Sequence, residues 1–351
     1  MKLVFVYWGY ENAGSMLDLR GYARAAKEMG HEVTIYGPPN SAFALDYSQD
    51  LKSADAVVFV FEWTTNLQFG DRVDWTRLLS AVPRERRIVI DCDGAYNDPI
   101  LFNGDYNHKT EDESRKWVEV CDSITDKVFQ PTYRPKRPNV KPFLFHIYDT
   151  TWETPLDFSN KEFSMIYVGH TKFRWHGMSK VLRALEPIRE RAGRIGLVGE
   201  GWDNPPVWTQ WQDIKENYYV DRDYLTKLRV EAMPPIPYPQ VLATMSKGTF
   251  NPVVYRPLFE YLSMLTCRTF ETPASGTIPL FLLDPDYVRD IYGDTAAQEL
   301  VLGDSHADEK IADVLARPER YADIVRAIRA EFGRKHSPEA RLRQLIELIE
   351  S

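Results

Sequence analysis

Two open α/β lobes in one chain are what this sequence predicts, and three observations carry that expectation. Short apolar runs rich in β-branched and aromatic residues alternate with stretches of helical periodicity. The first strand–helix–strand unit, residues 3–37, has the length that links two parallel strands through a right-handed crossover. The alternation begins afresh near residue 163, and at roughly 100–200 residues per domain a chain of 351 residues divides into two.

The elements follow in order. LVFVYW (3–8) reads as a strand buried on both faces. The loop GYENAGS leads into a helix over 16–30, where Leu17, Tyr22, Ala25 and Met29 share helical spacing and Gly30 ends the run. HEVTIYG (31–37), ADAVVFVFE (54–62) and RRIVIDCD (86–93) are further strands, and residues 110–121 are helical. Strands are expected at 126–132 and 140–147, with the proline-rich PTYRPKRPNVKP as loop. Residues 148–163 show no periodicity and hold the linker, giving an N-terminal domain over 1–155 and a second over 156–335. In that second half a strand over 163–170, a helix over 178–193 and a strand over 194–200 come first. Helical signals near 222–232 and 239–247 follow, then a short helix over 267–276 and strands at 277–283 and 299–303. From Ser305 to Ser351 the chain is almost entirely helical.

Composition narrows the function. With 44% hydrophobic and 27% charged residues, each half can bury a core of its own. The net charge of -8 argues against broad binding to phosphate backbones, though a local basic groove stays open. Cys92, Cys121 and Cys267 are widely spaced and form neither a CxxC pair nor a zinc pattern, so no metal site is expected. A reducing, cytoplasmic setting fits them. The N-terminal apolar run is too short for a signal peptide, and no stretch reaches the ~18 apolar residues of a membrane span.

In open parallel sheets ligands bind beyond the carboxyl ends of the strands, so the residues just after strands are the candidates. Gly9 and Gly14 flank the first such loop, where backbone can approach a ligand and a helix N-terminus favours anions. Asp91 and Asp93 end RRIVIDCD; either a catalytic base or a turn capped by Asp fits them. Gly169, His170, Lys172 and Arg174 follow the first strand of the second half, as a diphosphate loop or a solvated basic one. Gly199, Glu200, Gly201 and Trp202 could wall a nucleobase, or Trp202 could pack in the core. Arg268 and Glu271 are three apart and share a helical face. They suit a nucleotide site, with the carboxylate on ribose hydroxyls and the arginine on pyrophosphate, or a simple ion pair.

The stretch RTFETPASGTIPLFLLDPDYVRDIYG resembles the C-terminal signature of CgeB-like glycosyltransferases, within the wider GT-B group. The resemblance is best over 163–350. It implies two Rossmann-like domains facing a central cleft, with the nucleotide on the second and the acceptor on the first. It further implies a C-terminal helix, 336–351, that packs back towards the first domain. Glu271 would contact the donor ribose, and Lys172, Arg174 and Arg268 would hold the diphosphate. A nucleoside-diphosphate sugar, UDP-sugar favoured, is then the co-substrate. No cofactor is required on this reading, although a divalent metal can stimulate. One departure bears on stereochemistry: eight residues before Glu271 stands Ser263 rather than the first glutamate of E-x7-E, with Glu260 nearby. Inversion with Asp93 or Asp91 as base is therefore favoured.

For the acceptor, small molecules, glycans and peptides stay open. A second similarity, to phage DNA β-glucosyltransferases, adds a modified DNA base. Arg268/Glu271, Lys172/Arg174 and Asp93 follow that scheme, and Arg134, Lys136, Arg137 and Lys141 are candidates to touch phosphates. Acceptor loops are expected at 63–66 and 96–108. A Rossmann oxidoreductase is disfavoured because GYENAG is not GxGxxG. An inactive nucleotide-sugar-binding scaffold remains the alternative of another class.

Overall fold

The computed structural model describes residues 1–7, 14–41, 44–62, 75–102, 105–206 and 215–351. The first lobe opens with β1 (Lys2–Val6), α1 (Ser15–Glu28), β2 (Glu32–Tyr36) and β3 (Ala56–Phe61). It continues with α2 (Trp75–Ala81), β4 (Arg87–Asp91), the antiparallel pair β5 (Leu101–Phe102) and β6 (Asp105–Tyr106), α3 (Glu111–Ile124), β7 (Val128–Gln130) and β8 (Lys141–Pro142). Its parallel sheet has the order β2-β1-β3-β4-β7-β8. All six residues of β3 are buried, which is why that segment is continuously apolar rather than alternating.

The second lobe is built from β9 (Phe163–Val168), α4 (Trp175–Leu185), β10 (Ile195–Val198), α5 (Arg222–Lys227), β11 (Val230–Met233), α6 (Val241–Met245) and β12 (Gly248–Val253). It closes with α7 (Pro257–Tyr261), α8 (Cys267–Ala274), β13 (Ile278–Phe281) and α9 (Pro285–Tyr292) to α10 (Asp294–Glu299), α11 (Ala307–Ala316) and α12 (Pro318–Lys335). Its parallel sheet runs β11-β10-β9-β12-β13. The last helix, α13 (Pro338–Glu350), leaves this lobe: Leu342, Leu345 and Ile349 join the core formed by β1, β3, β4 and α1. The fold is thus GT-B, two parallel α/β lobes with the C-terminal helix returned to the first.

Four local expectations are corrected. The run 140–147 is not a strand beyond Pro142; residues 143–147 are buried, but their backbone is satisfied piecemeal. Phe143 N donates to Gln130 O at 3.0 Å, Ile147 N to Asp18 Oδ1 at 3.0 Å and Tyr148 N to His336 O at 2.7 Å. Apolarity there reports burial, not pairing. Residues 230–233 form β11 rather than the end of a helix, because Arg229 at φ 53° breaks the chain out of α5. β12, between β9 and β13, has no counterpart in the sequence reading, since Asn251 and Pro252 interrupt its apolar run. The segment 299–303 forms only a single bridge, Val301 to Phe281.

Candidate active site between the lobes

The ends of β9 and β10 meet almost without gap. A Cβ on Gly199, at φ +144°, would lie 2.3 Å from the Gly169 carbonyl oxygen, so glycine is required. Trp202 is fully buried, donates Nε1–H to Gly169 O at 2.7 Å and stands edge-on to Tyr167 at 5.7 Å. Trp202 therefore braces the loop from within the core and walls no base. Phe173 turns the chain at φ 57°, its N–H bonded to Asn217 O at 2.8 Å.

Around His170 stand Arg174, Lys172, Arg256 and Arg268. Burial first, then these four cations in that order, push its pKa down to about 3, so the ring is neutral. Its buried Nδ1 has no hydrogen-bond partner among the described residues. Arg256 has no counterpart in the sequence reading. It precedes α7, lies 5.0 Å over the rings of both Phe173 and Phe259, and gives Nε–H to Asp105 Oδ1 at 2.8 Å. Asp105, on β6 of the other lobe, also accepts from Leu258 N at 2.9 Å. Burial first, then neighbouring cations, lower the pKa of Lys172. Of the carboxylates beside this cluster, Asp105 pairs with Arg256 and Glu271 with Arg268, so positive charge predominates. Such a cluster favours a multiply charged anion.

α8 presents Arg268 and Glu271 on one face, with Nη1 3.0 Å from Oε2. Tyr238 hydroxyl donates to Glu271 Oε1. Glu271 is 2% exposed, and burial, reinforced by Asp18 and opposed by His146, pushes its pKa up to about 8. The far end of α8 is held by Arg329 of α12, whose guanidinium donates to the carbonyls of Pro273 at 2.7 Å, Ser275 at 3.0 Å and Ala274 at 3.2 Å.

From the first lobe, Gly14 meets this helix. A Cβ there would lie 2.5 Å from Cys267 Sγ and 2.8 Å from the Tyr238 hydroxyl. Gly9 lies outside the described residues, as does the loop at 63–66. Asp91 is fully buried and accepts from the N–H of Asp93 at 3.2 Å, Ala95 at 3.0 Å and Tyr96 at 2.8 Å, and from Gln130 Nε2 at 2.8 Å. Both its oxygens are engaged in capping the turn. Asp93, two residues on, is half-buried.

Sequence reasoning passed over a second first-lobe group. In the order β2-β1-β3, the switch point lies between β1 and β3, and Tyr7 and Glu62 follow those strands. Tyr7 hydroxyl donates to Glu62 Oε2 at 2.8 Å, and Ser15 Oγ donates to the same oxygen. Beside them, buried His146 bonds Asp18 Oδ2 through Nδ1 at 2.6 Å. Glu62 ends an apolar run and could have been found by its place; His146 within FLFHI looks like any core histidine.

The basic loop is spoken for. Arg134 pairs with Asp290 at 2.6 Å, Arg137 with Asp98 at 3.3 Å, and Lys136 caps the Tyr261 ring at 4.4 Å. Among the described residues Lys141 alone of the four lacks such a tie, and it is exposed on the sheet edge. Glu260 lies away from Glu271, in a groove with His176, Lys180 and Asp284. Among the described residues no trio of His, Cys, Asp or Glu could hold a metal ion, and no helix is long and apolar enough to cross a membrane.

Residues 180–347 match the model of a family described as glycosyl transferase-like. The match takes in just under half of the chain, and the fold around it is that of GT-B structures. No curated protein matches the chain in sequence. Among solved structures, a DNA-modifying β-glucosyltransferase studied with and without uridine diphosphoglucose is similar at TM-score 0.57 and 14% identity, covering 100% of both chains. The T4 phage enzyme BGT in complex with its UDP-glucose substrate matches at TM-score 0.58 and 13% identity, again over 100% of each chain. An α-glucosyltransferase in complex with UDP matches at TM-score 0.62 and 14% identity, over 100% of this chain and 99% of that one. At these identities the likeness is one of fold. The family match is no narrower than its description, so the CgeB-like subgroup is not part of it.

Proposed function

We propose that this chain transfers a hexose from a UDP-sugar to a hydroxyl acceptor bound by the first lobe. The observation that carries the reading is the convergence of Lys172, Arg174, Arg256 and Arg268 on His170, with Arg268 one helical turn from Glu271. Glu271 accepts hydrogen bonds from the ribose hydroxyls. The four cations hold the diphosphate and take up the charge that grows on it as the glycosidic bond to phosphate breaks. Gly169 and Gly199 keep the two strand-end loops close enough for backbone to line that site. His170, neutral and with Nδ1 unpaired, offers the phosphates a hydrogen bond rather than a fifth charge. Uridine is favoured because the structural relatives bind UDP or UDP-glucose.

Asp93 takes the acceptor proton as the acceptor oxygen attacks the anomeric carbon from the face opposite the phosphate, which inverts configuration. Glutamate is absent from the position eight before Glu271, in keeping with displacement in one step. Fixed cations do the work on the diphosphate, so Mn2+ stimulates without being required, and EDTA leaves most of the activity. The boundary between the domains falls near 155, ahead of β9.

A hydroxymethylated pyrimidine in DNA is the second reading of the acceptor. Its support is the full-length likeness to DNA glucosyltransferases, one of them solved with a 13-mer DNA carrying an HMU base at TM-score 0.57. Against it stand the net charge of -8 and the surface ties of Arg134, Lys136 and Arg137 to groups of the protein itself. Incubation with UDP-glucose and either hydroxymethylated DNA or a panel of hydroxyl acceptors tests both readings by product mass. Asp93→Asn separates enzyme from scaffold: transfer lost with UDP binding kept marks an enzyme, and no transfer by the wild type to any acceptor favours a scaffold.

A further inference from the structure

The first lobe reaches the basic loop of the second through a short hairpin. β5 and β6 pair Leu101 with Tyr106 and Phe102 with Asp105, in the excursion between β4 and α3. The base of this excursion is fixed to the turn that follows β4. Asn107 Oδ1 accepts from Ile100 N at 2.8 Å, and its Nδ2 donates to Gly94 O at 3.2 Å and Asp98 O at 3.0 Å. From there the hairpin seats on α7 and the residues just after it. Ile100 packs against Leu258, Leu262 and Met264, and the Phe102 ring lies 5.4 Å from that of Tyr261. Asp105, 1% exposed, turns both oxygens on the second lobe. Its Oδ1 accepts from Arg256 Nε at 2.8 Å and from Arg256 Nη2, and its Oδ2 accepts from Leu258 N at 2.9 Å.

Arg256 is held on its flanks as well, with its guanidinium 5.0 Å from the rings of both Phe173 and Phe259. Phe173 stands between Lys172 and Arg174 in the chain, and Lys172 Nζ lies 5.4 Å from the same ring. Contact alone therefore places Arg256 beside the loop read as the diphosphate loop. Asp105 takes up Nε and Nη2; Nη1 has no hydrogen-bond partner among the described residues.

We propose that Asp105 is a positioning residue for donor binding: from the first lobe it fixes the Arg256 guanidinium of the second and leaves Nη1 to the donor diphosphate. This rests on the reading of the cation cluster given above. A guanidinium binds phosphate through a rigid fork of N–H groups, and one whose rotamer is already fixed gives up less freedom on binding. Asp105 also cancels part of the positive charge, which acts in the opposite sense. Orientation outweighs it because Lys172, Arg174 and Arg268 already supply charge, whereas directed N–H groups need a fixed guanidinium. Affinity for a ligand of the second lobe then depends on a first-lobe carboxylate that does not touch it. The apolar seat of Ile100 and Phe102 does not involve Asp105, so the hairpin stays docked when that carboxylate is replaced.

The test is calorimetric titration of UDP, inorganic pyrophosphate and uridine into the wild type, Asp105→Asn, Arg256→Lys and the double variant, with folding checked by melting temperature. Asp105→Asn should bind UDP and pyrophosphate roughly tenfold more weakly, the scale of one hydrogen bond to a charged group, and uridine as before. Arg256→Lys keeps the charge and loses the fork, so it should show the same pattern. The double variant should be no weaker than Arg256→Lys alone, because both changes remove one shared interaction. A second readout needs no variant. Coupling is reciprocal, so UDP should slow hydrogen exchange at the Leu258 amide, whose acceptor is Asp105. UDP binding that is unchanged or tighter in Asp105→Asn, an equal loss for uridine, additive losses in the double variant, or Leu258 exchange indifferent to UDP overturns this inference alone. Failure of the wild type to bind any nucleoside diphosphate overturns the donor-site reading and this inference with it.

Discussion

At Glu271 two demands compete. Burial favours the protonated carboxyl, and its pKa is pushed up to about 8; the proposed role, receiving two ribose hydroxyls, needs the carboxylate. In the donor-free protein the folded state therefore holds a proton that the unfolded chain, with an ordinary glutamate, releases. Native protein binds more protons between about pH 4.5 and 8, so the contribution of this group to stability falls as pH rises through that window. Glu271→Gln should flatten that part of the melting-temperature profile; an identical slope in the variant would refute the assignment. Glu271→Ala should weaken UDP by roughly 30- to 100-fold, the loss of hydrogen bonds to a charged acceptor. His170 works with the opposite sign. Its pKa of about 3 reflects burial and then four neighbouring cations, so a bound diphosphate raises it. UDP binding should then take up protons at mildly acidic pH, seen as a dependence of binding heat on buffer ionisation enthalpy. No such dependence in His170→Ala, with one in the wild type, locates the proton.

The elements show what the sequence discloses and what it hides. Lys172, Arg174, Arg268 and Glu271 are legible because they follow strands and share a helical face, which are local facts. Arg256 is not, since only the packing of α7 against β6 brings it beside His170. Asp91 and Asp93 look alike in sequence, and only the folded turn shows that Asp91 spends its oxygens on three backbone N–H groups. β12 is hidden for another reason: Asn251 and Pro252 break its apolar pattern, yet neighbours on both sides hold it in the sheet. The same logic makes α8 depend on α12. Arg329 satisfies the last carbonyls of α8, a place where a cation also suits the helix dipole. Arg329→Ala should cost about 3 kcal/mol, as several buried carbonyls lose their donor at about 1 kcal/mol each. It should also weaken UDP although Arg329 is on another element. Unfolding in denaturant with and without UDP checks both.

Across the whole molecule, the two lobes are tied at several points, two of them at the proposed site. Asp105 holds Arg256, Arg134 reaches Asp290, and α1 rests on α8 through Gly14. Gly14→Ala places a methyl where Cys267 Sγ and Tyr238 already are, at 2.5 and 2.8 Å, so the lobes must part. Overpacking of this kind costs about 1–3 kcal/mol. The expected result is a lower melting temperature together with weaker donor binding, whereas a wild-type Kd would show that the contact does not bear on the site. The acceptor is left to chemistry rather than fold, because a fold shared at 13–14% identity places strands, not substrates.

The most direct test of the central claim is a titration of UDP, GDP, TDP, ADP and CMP into the wild type and Glu271→Ala, followed by melting temperature. UDP should stabilise the wild type more than the others do, and Glu271→Ala, still folded, should lose that stabilisation. Equal stabilisation of the variant, or none of the wild type by any nucleotide, would contradict a nucleotide-sugar site at the cation cluster and Glu271.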